Sequence, residues 1–220
     1  MKKKIIISIV IFIIVFIAVA LIRSQHKTPN SLPVSKGEFL TALYKWVLKK
    51  AGGLADGTLA GDADLKRSPC TVTINGRTYN KPHTNKDITY PTFETLAPKF
   101  GYEVNCNNFI YMPDDLWQKI FYHIAIEKGL KFTDNIVLAA YIGSWYWGSG
   151  SISTANQDRI KAILADGSIS DKERLRQLID LRKSFFESLA EAHPITYGPA
   201  LDGWLNRAEA YWNDFNQFVS

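Results

Sequence analysis

The sequence predicts a mainly α-helical protein with a small β-hairpin after its first helix, preceded by one N-terminal transmembrane helix. Three observations carry this expectation. Eighteen uncharged residues, Ile5–Ile22, follow the lysines at the N-terminus. One Asn-Gly dipeptide, Asn75-Gly76, separates two short β-prone stretches. From about residue 90 onward, apolar residues recur at helical spacing between capping signals.

The elements follow in order. Lys2–Lys4 and then Ile5–Ile22 form a basic stub and an apolar run; as a helix the run spans roughly 27 Å, close to the hydrocarbon thickness of a bilayer. Lysines on the near side orient the N-terminus to the cytoplasm, so residues 1–22 read as an anchor. The rival is a cleaved signal peptide, because Ala18-Val19-Ala20 has the A-x-A form. Residues 23–34 are polar with two prolines and read as a linker. Ser35-Lys36-Gly37-Glu38 is a capping box that opens a helix ending at Gly52-Gly53. Residues 54–69 read as loop, then Thr71–Ile74 and Arg77–Tyr79 as the hairpin arms. Pro91 suits a first helical turn that Pro98 should end. Pro113–Lys128 carries one apolar stripe, and Thr133–Trp147 is apolar almost all round, the mark of a central buried helix. Ser153–Leu164 follows, then Ser170-Asp171-Lys172-Glu173 caps a long helix, and a last helix covers about 200–218. The order of helix, hairpin and helices is also that of lysozyme-like domains. Residues 35–150 are expected to form such a domain, and residues 151–220 a second helical module.

Charge and cysteine content narrow the function. The net charge of +5 resides in the five Lys and Arg of residues 1–30; the remaining 21 basic residues balance 21 acidic ones. Nucleic-acid binding therefore loses its electrostatic support. Export puts the only two cysteines, Cys70 and Cys106, where a disulfide is permitted, with two buried free thiols as the alternative. No C-x-x-C or paired-His spacing suggests a metal, and no cofactor is expected. Gly148-Ser149-Gly150 lacks the preceding strand of a nucleophile elbow. Asp56, Asp62, Asp64 and Glu94 read first as solvated acids. Trp145, Tyr146 and Trp147 are consecutive, about 100° apart on a helix, and cannot share one face.

Five motifs carry a family resemblance. They are Ala51-Gly52-Gly53 after the first helix, the Asp/Gly-rich loop Asp56–Asp64, and Thr84-Asn85-Lys86-Asp87-Ile88-Thr89 before Thr92-Phe93. Trp145–Gly150 follows, and last a C-terminal set comprising Arg182–Phe186, Pro194 and Gly203-Trp204-Leu205-Asn206-Arg207. In this order, over about residues 36–212, they resemble glycoside hydrolase family 108, the secretion-activating and phage-lysin type of muramidase, with its C-terminal predicted peptidoglycan domain. The segment 66–83 departs from the family as an insertion. The resemblance implies a peptidoglycan substrate, met by Gly52, Gly53, Asp62, Thr84, Thr89, Trp145, Trp147, Ser149 and Trp204. It also implies that the family's general-acid glutamate falls on Ala51. A glycosidase must protonate a poor leaving group, which an alanine methyl cannot do. The expectation is a muramidase scaffold at the inner membrane, facing the periplasm and silenced at position 51, by natural loss or by a deliberate glutamate-to-alanine change. Its partners would be glycan strands, the inner membrane through residues 5–22, and an envelope or secretion complex. The alternative is a non-enzymatic peptidoglycan-binding or docking component.

Overall fold

The computed structural model describes residues 36–55 and 66–219. The expected anchor and linker within residues 1–35, and the loop 56–65 with Asp62, lie outside the described residues. Among the described residues no helix is long and apolar enough to cross a membrane.

The described chain is mainly helical. Helix α1 (Lys36–Lys50) leads to β1 (Thr71–Ile74) and β2 (Arg77–Asn80), then to β3 (Thr84–Asn85) and β4 (Ile88–Thr89). Helices α2 (Tyr90–Leu96), α3 (Cys106–Ile110) and α4 (Asp114–Phe121) follow. A π-helical turn, Tyr122–Ile126, joins α4 to α5 (Glu127–Gly129). The last five helices are α6 (Ile136–Ser149), α7 (Thr154–Ala165), α8 (Asp171–Ala192), α9 (Pro194–Tyr197) and α10 (Leu201–Phe215).

The hairpin expected at Asn75-Gly76 is present. Asn75 and Gly76 have φ of 51° and 77°, and Val72 pairs with Tyr79 across the arms. A second, smaller hairpin was not expected. There Thr84 pairs with Thr89 and Asn85 with Ile88 around Lys86-Asp87, whose φ values are 49° and 61°. Aspartate tolerates this region, but lysine rarely adopts it, so the turn carries about 1 kcal/mol of strain at Lys86. Three bonds from outside hold it. Trp117 Nε1 donates to the Lys86 carbonyl at 3.0 Å, and Lys86 Nζ donates to the Met112 carbonyl at 3.0 Å and to Asp114 Oδ1 at 2.7 Å. Asn85 is buried and ties the hairpin to α3 through the carbonyls of Phe109 and Ile110, at 2.6 and 3.0 Å.

Thr89 caps α2, with Pro91 in its first turn. The helix gives way to a 3-10 turn, Ala97–Phe100, that runs through Pro98 and ends on Gly101 at φ 83°. Helix α6 is buried along most of its length, as its all-round apolarity predicts. Asn135 caps it by accepting from the backbone N–H groups of Val137 and Leu138, and its amide donates to Asp171 at the start of α8. On its other flank α6 lies against α5 and the π turn at backbone contact distance. A methyl group on Gly143 would overlap the carbonyl of Ala125, and one on Gly129 the carbonyl of Ala139. The apolar core continues past residue 150 into Ile152, Ile160, Leu175 and Tyr211.

Cys70 and Cys106 form a disulfide with a Cα–Cα distance of 5.5 Å, closing a loop of 36 residues. The bond joins the start of β1 to the start of α3. Two expectations follow for stability. Reducing the bond, or replacing both cysteines with serine, should cost about 3–4 kcal/mol from the loop-closure entropy released to the unfolded chain. Chemical denaturation with and without reductant checks this. Gly143→Ala should cost more than about 3 kcal/mol, because a backbone carbonyl has nowhere to move. A surface change such as Gly167→Ala, where a methyl meets open space, serves as its control.

Candidate functional site

A cavity of about 420 Å³ opens beside the C-terminal end of α1. Helix α1 contributes Leu43, Trp46, Val47 and Lys50; the Lys86-Asp87 turn contributes Asp87. Helix α6 supplies Tyr141, Ser144, Trp147, Gly148 and Ser149, and α8 supplies Arg182, Phe185 and Phe186. Tyr197, Trp204, Arg207 and Tyr211 complete the wall from α9 and α10.

Packing between helices fixes these walls. Arg176 of α8 holds Glu209 of α10 through two bonds of 2.7 and 3.2 Å, and Lys183 adds a third at 3.3 Å. A bidentate guanidinium–carboxylate pair is directional, so α10 sits in one register on α8. Trp46 packs edge-on against Tyr211 and Phe215 at 5.9 and 5.5 Å, and its indole N–H donates to Asp214 at 2.5 Å. Trp147 leans on Trp117 and Phe121 at 6.0 and 4.9 Å. Trp204 lies near Phe186 and Tyr197, at 5.0 and 5.8 Å.

The charged groups are unequal in number. Lys50, Arg182 and Arg207 line the cavity against one acid, Asp87. Asp87 stands at the tip of its turn, and the backbone N–H of Gly52 reaches its carboxylate. Loss of water around the carboxyl raises its pKa above the ordinary aspartate value; Arg207 and the Gly52 N–H oppose that rise without cancelling it. Arg182 donates to the Ser144 hydroxyl and carbonyl at 2.5 and 3.1 Å. Its Nε and the Tyr141 hydroxyl are both buried, and the guanidinium is the hydrogen-bond neighbour of that hydroxyl. Burial lowers the Arg182 pKa and raises that of Tyr141, but a guanidinium remains a cation at any ordinary pH.

Of the sequence-predicted residues within the described chain, Trp147, Ser149 and Trp204 line this space, and Ala51, Gly52, Gly53, Thr84, Thr89 and Trp145 do not. Ala51 is half-buried, directly after Lys50, and its N–H closes the last turn of α1 on the Val47 carbonyl at 2.7 Å. Gly52 and Gly53 are exposed, and a methyl on either would meet open space, so nothing in the described protein demands glycine there. Thr84 pairs in the small hairpin, and its backbone bonds to Ala55. Thr89 serves as the cap of α2. Trp145 is 2% exposed and packs in the core on Phe185, so of the aromatic triplet it is Trp147 that faces the cavity. Ser149 lines the rim while its hydroxyl meets the Trp145 and Ser151 carbonyls, and Trp204 lines the far wall. Glu94 lies away from the cavity, bound to Lys66 at 2.6 Å.

Sequence reasoning did not single out Asp87, Lys50, Trp46 or Tyr197 as site residues. Asp87 carries the one available signal, an acid inside a motif that already leads into Thr92-Phe93. Neither a known family profile, nor a curated protein, nor a solved structure matches the chain.

Both stereochemical routes of glycosidases use two carboxyl groups, and the described cavity lining holds one. One prediction isolates that group. With its pKa raised, Asp87 binds its proton more tightly in the folded chain than in the unfolded one. Stability attributable to it is therefore lost as pH rises from about 4, the ordinary aspartate value, through the raised value. Asp87→Asn should remove that loss, so its stability relative to the parent should be greater at pH 7 than at pH 3. Urea midpoints at the two pH values measure the difference, and an equal offset at both would contradict the assignment.

Proposed function

We propose that this chain is a membrane-anchored, lysozyme-like scaffold that binds peptidoglycan glycan strands on the periplasmic side and does not cleave them. One observation carries the reading: the aromatic-walled cavity beside Ala51. Its volume falls within the roughly 300–1,000 Å³ typical of small-molecule sites. Its Trp46, Trp147, Tyr197 and Trp204 offer flat apolar faces of the kind that sugar rings pack against. Lys50, Ser149 and Asp87 at the same space supply polar groups for hydroxyls and amides. The order of one helix, small hairpins and a helical remainder supports the lysozyme-like reading, and the motif order of the family supports the substrate. Anchoring belongs to residues 5–22, with the linker 23–34 holding the domain near the membrane.

Silencing follows from position 51. A glutamate there would extend from the end of α1 next to Asp87 and the open space around Gly52 and Gly53. It would place a second carboxyl one residue beyond Lys50, which lines the cavity. Alanine leaves the grip on the glycan without the proton donor.

The test uses the full-length chain in detergent with purified sacculi. The parent should cosediment with sacculi and leave their turbidity unchanged. Trp204→Ala should reduce cosedimentation at least about fivefold, on the order of 1 kcal/mol of lost aromatic contact. Ala51→Glu should release soluble muropeptides. Absence of the parent from the sacculus pellet would overturn the reading and leave a docking role in an envelope complex.

A further inference from the structure

We infer that the cavity takes a sugar bearing a free carboxylate, with Arg182 as the inner anchor and Arg207 as the outer one. This rests on the glycan-binding reading and adds the chemical class of the sugar.

Among the described residues, none of Lys50, Arg182 and Arg207 has a carboxylate within ion-pair distance. Elsewhere the protein pairs its half-buried arginines. Arg174 meets Asp171 at 2.5 Å, and Arg176 meets both Asp180 and Glu209 at 2.8 and 2.7 Å. Arg182 departs from that pattern. It is held by one serine and by the faces of three rings, Tyr141, Trp145 and Phe186, at 5.7, 5.8 and 5.3 Å. Rings and a hydroxyl fix a guanidinium in place without neutralising it. The result is a positioned cation with no carboxylate partner among the described residues.

A second observation gives the ligand's sign and its neighbour. Arg207 lines the same cavity and is close enough to Arg182 for each positive charge to disfavour the other. Two arginines that repel across a space become stable together when an anion lies between them. Asp87 does not fill this role, since it makes no ion pair with either arginine. A carboxylate fits the planar fork of a guanidinium, which favours it over a larger or rounder anion in so narrow a place.

The walls then say what carries the carboxylate. Rings surround the arginines, so the anion must arrive attached to something with flat apolar faces. On this reading the carboxylate sits close to the sugar ring itself. On a peptidoglycan strand, that group is the lactyl carboxylate of a muramyl residue from which the stem peptide has been removed. A stem peptide caps this carboxylate as an amide and moves the nearest negative charge outward.

The experiment titrates the full-length chain in detergent, reading tryptophan fluorescence, with four sugars. They are N-acetylmuramic acid, its methyl ester, muramyl dipeptide and N-acetylglucosamine. N-acetylmuramic acid should bind at least about tenfold more tightly than the other three, and its advantage should shrink as salt is raised. Arg207→Gln, at an exposed position, should remove most of that advantage while leaving N-acetylglucosamine affinity unchanged. Arg182→Lys keeps the charge and loses the fork, and should do the same if its circular dichroism matches the parent. Equal binding of all four sugars would overturn the carboxylate inference and leave the glycan reading standing. Muramyl dipeptide binding as tightly as the free acid would overturn the sugar-borne source. Binding of none of the sugars, with no cosedimentation with sacculi, would overturn both readings.

Discussion

The contact between Gly143 of α6 and the carbonyl of Ala125 in the π turn determines where the surrounding elements can lie. Backbone meets backbone there, and again where Gly129 meets Ala139, so α6 and the helix before it cannot slide or roll without collision. That crossing buries one side of a helix with no polar face to offer solvent. The other sides must then be covered, by α8 and α10 and, through the aromatic residues of α1, by the first helix. The cavity is what remains where those covering helices stop short of meeting. Its walls are therefore continuations of the core, and the rings that line it are held by the same packing that stabilises the fold.

Two fixed parts face each other across this space. One is the cationic wall, set by α8 and α10 and locked by Arg176 to Glu209. The other is the strained turn at Lys86-Asp87, held down by Trp117, Met112 and Asp114. Strain at a turn persists only when its surroundings over-determine it, and here three bonds do so. Arg182 represents the same economy in electrostatic form. Desolvation disfavours its charge, and aromatic faces offset part of that cost without ending its capacity to hold an anion. Both are local penalties that a packed core can sustain.

Much of the fold was legible in the sequence because its signals are local. Asn75-Gly76 meets the backbone demand of its turn directly, Ser153 and Ser170 cap the helices they precede, and the apolarity of α6 announces its burial. The second hairpin was not legible, because Lys86 has no intrinsic preference for left-handed backbone and is held in it by partners about 30 residues away. The π turn was hidden for a similar reason: its shift in hydrogen bonding accommodates α6, and no residue type announces it. The site was legible in outline only. Among the cavity-lining residues, Trp147, Ser149 and Trp204 could be marked from motifs, whereas the isolation of Arg182 could not. A balanced count of acids and bases says nothing about which cation lacks a neighbour; that is decided by helix register.

The disulfide bears on one side of this space. The covalent ring from Cys70 to Cys106 encloses Asp87 and its turn, and encloses none of Lys50, Arg182 or Arg207. The two halves of the cavity thus answer to different conditions. The cationic half needs only helices to pack and can form wherever the chain folds. The acidic half is tethered by a bond that oxidising surroundings create. Three hydrogen bonds already hold the Lys86-Asp87 turn, so the crosslink adds a covalent limit on how far that segment can part from α3. The state of that one bond therefore bears on the acidic side of the cavity and on none of its cationic lining.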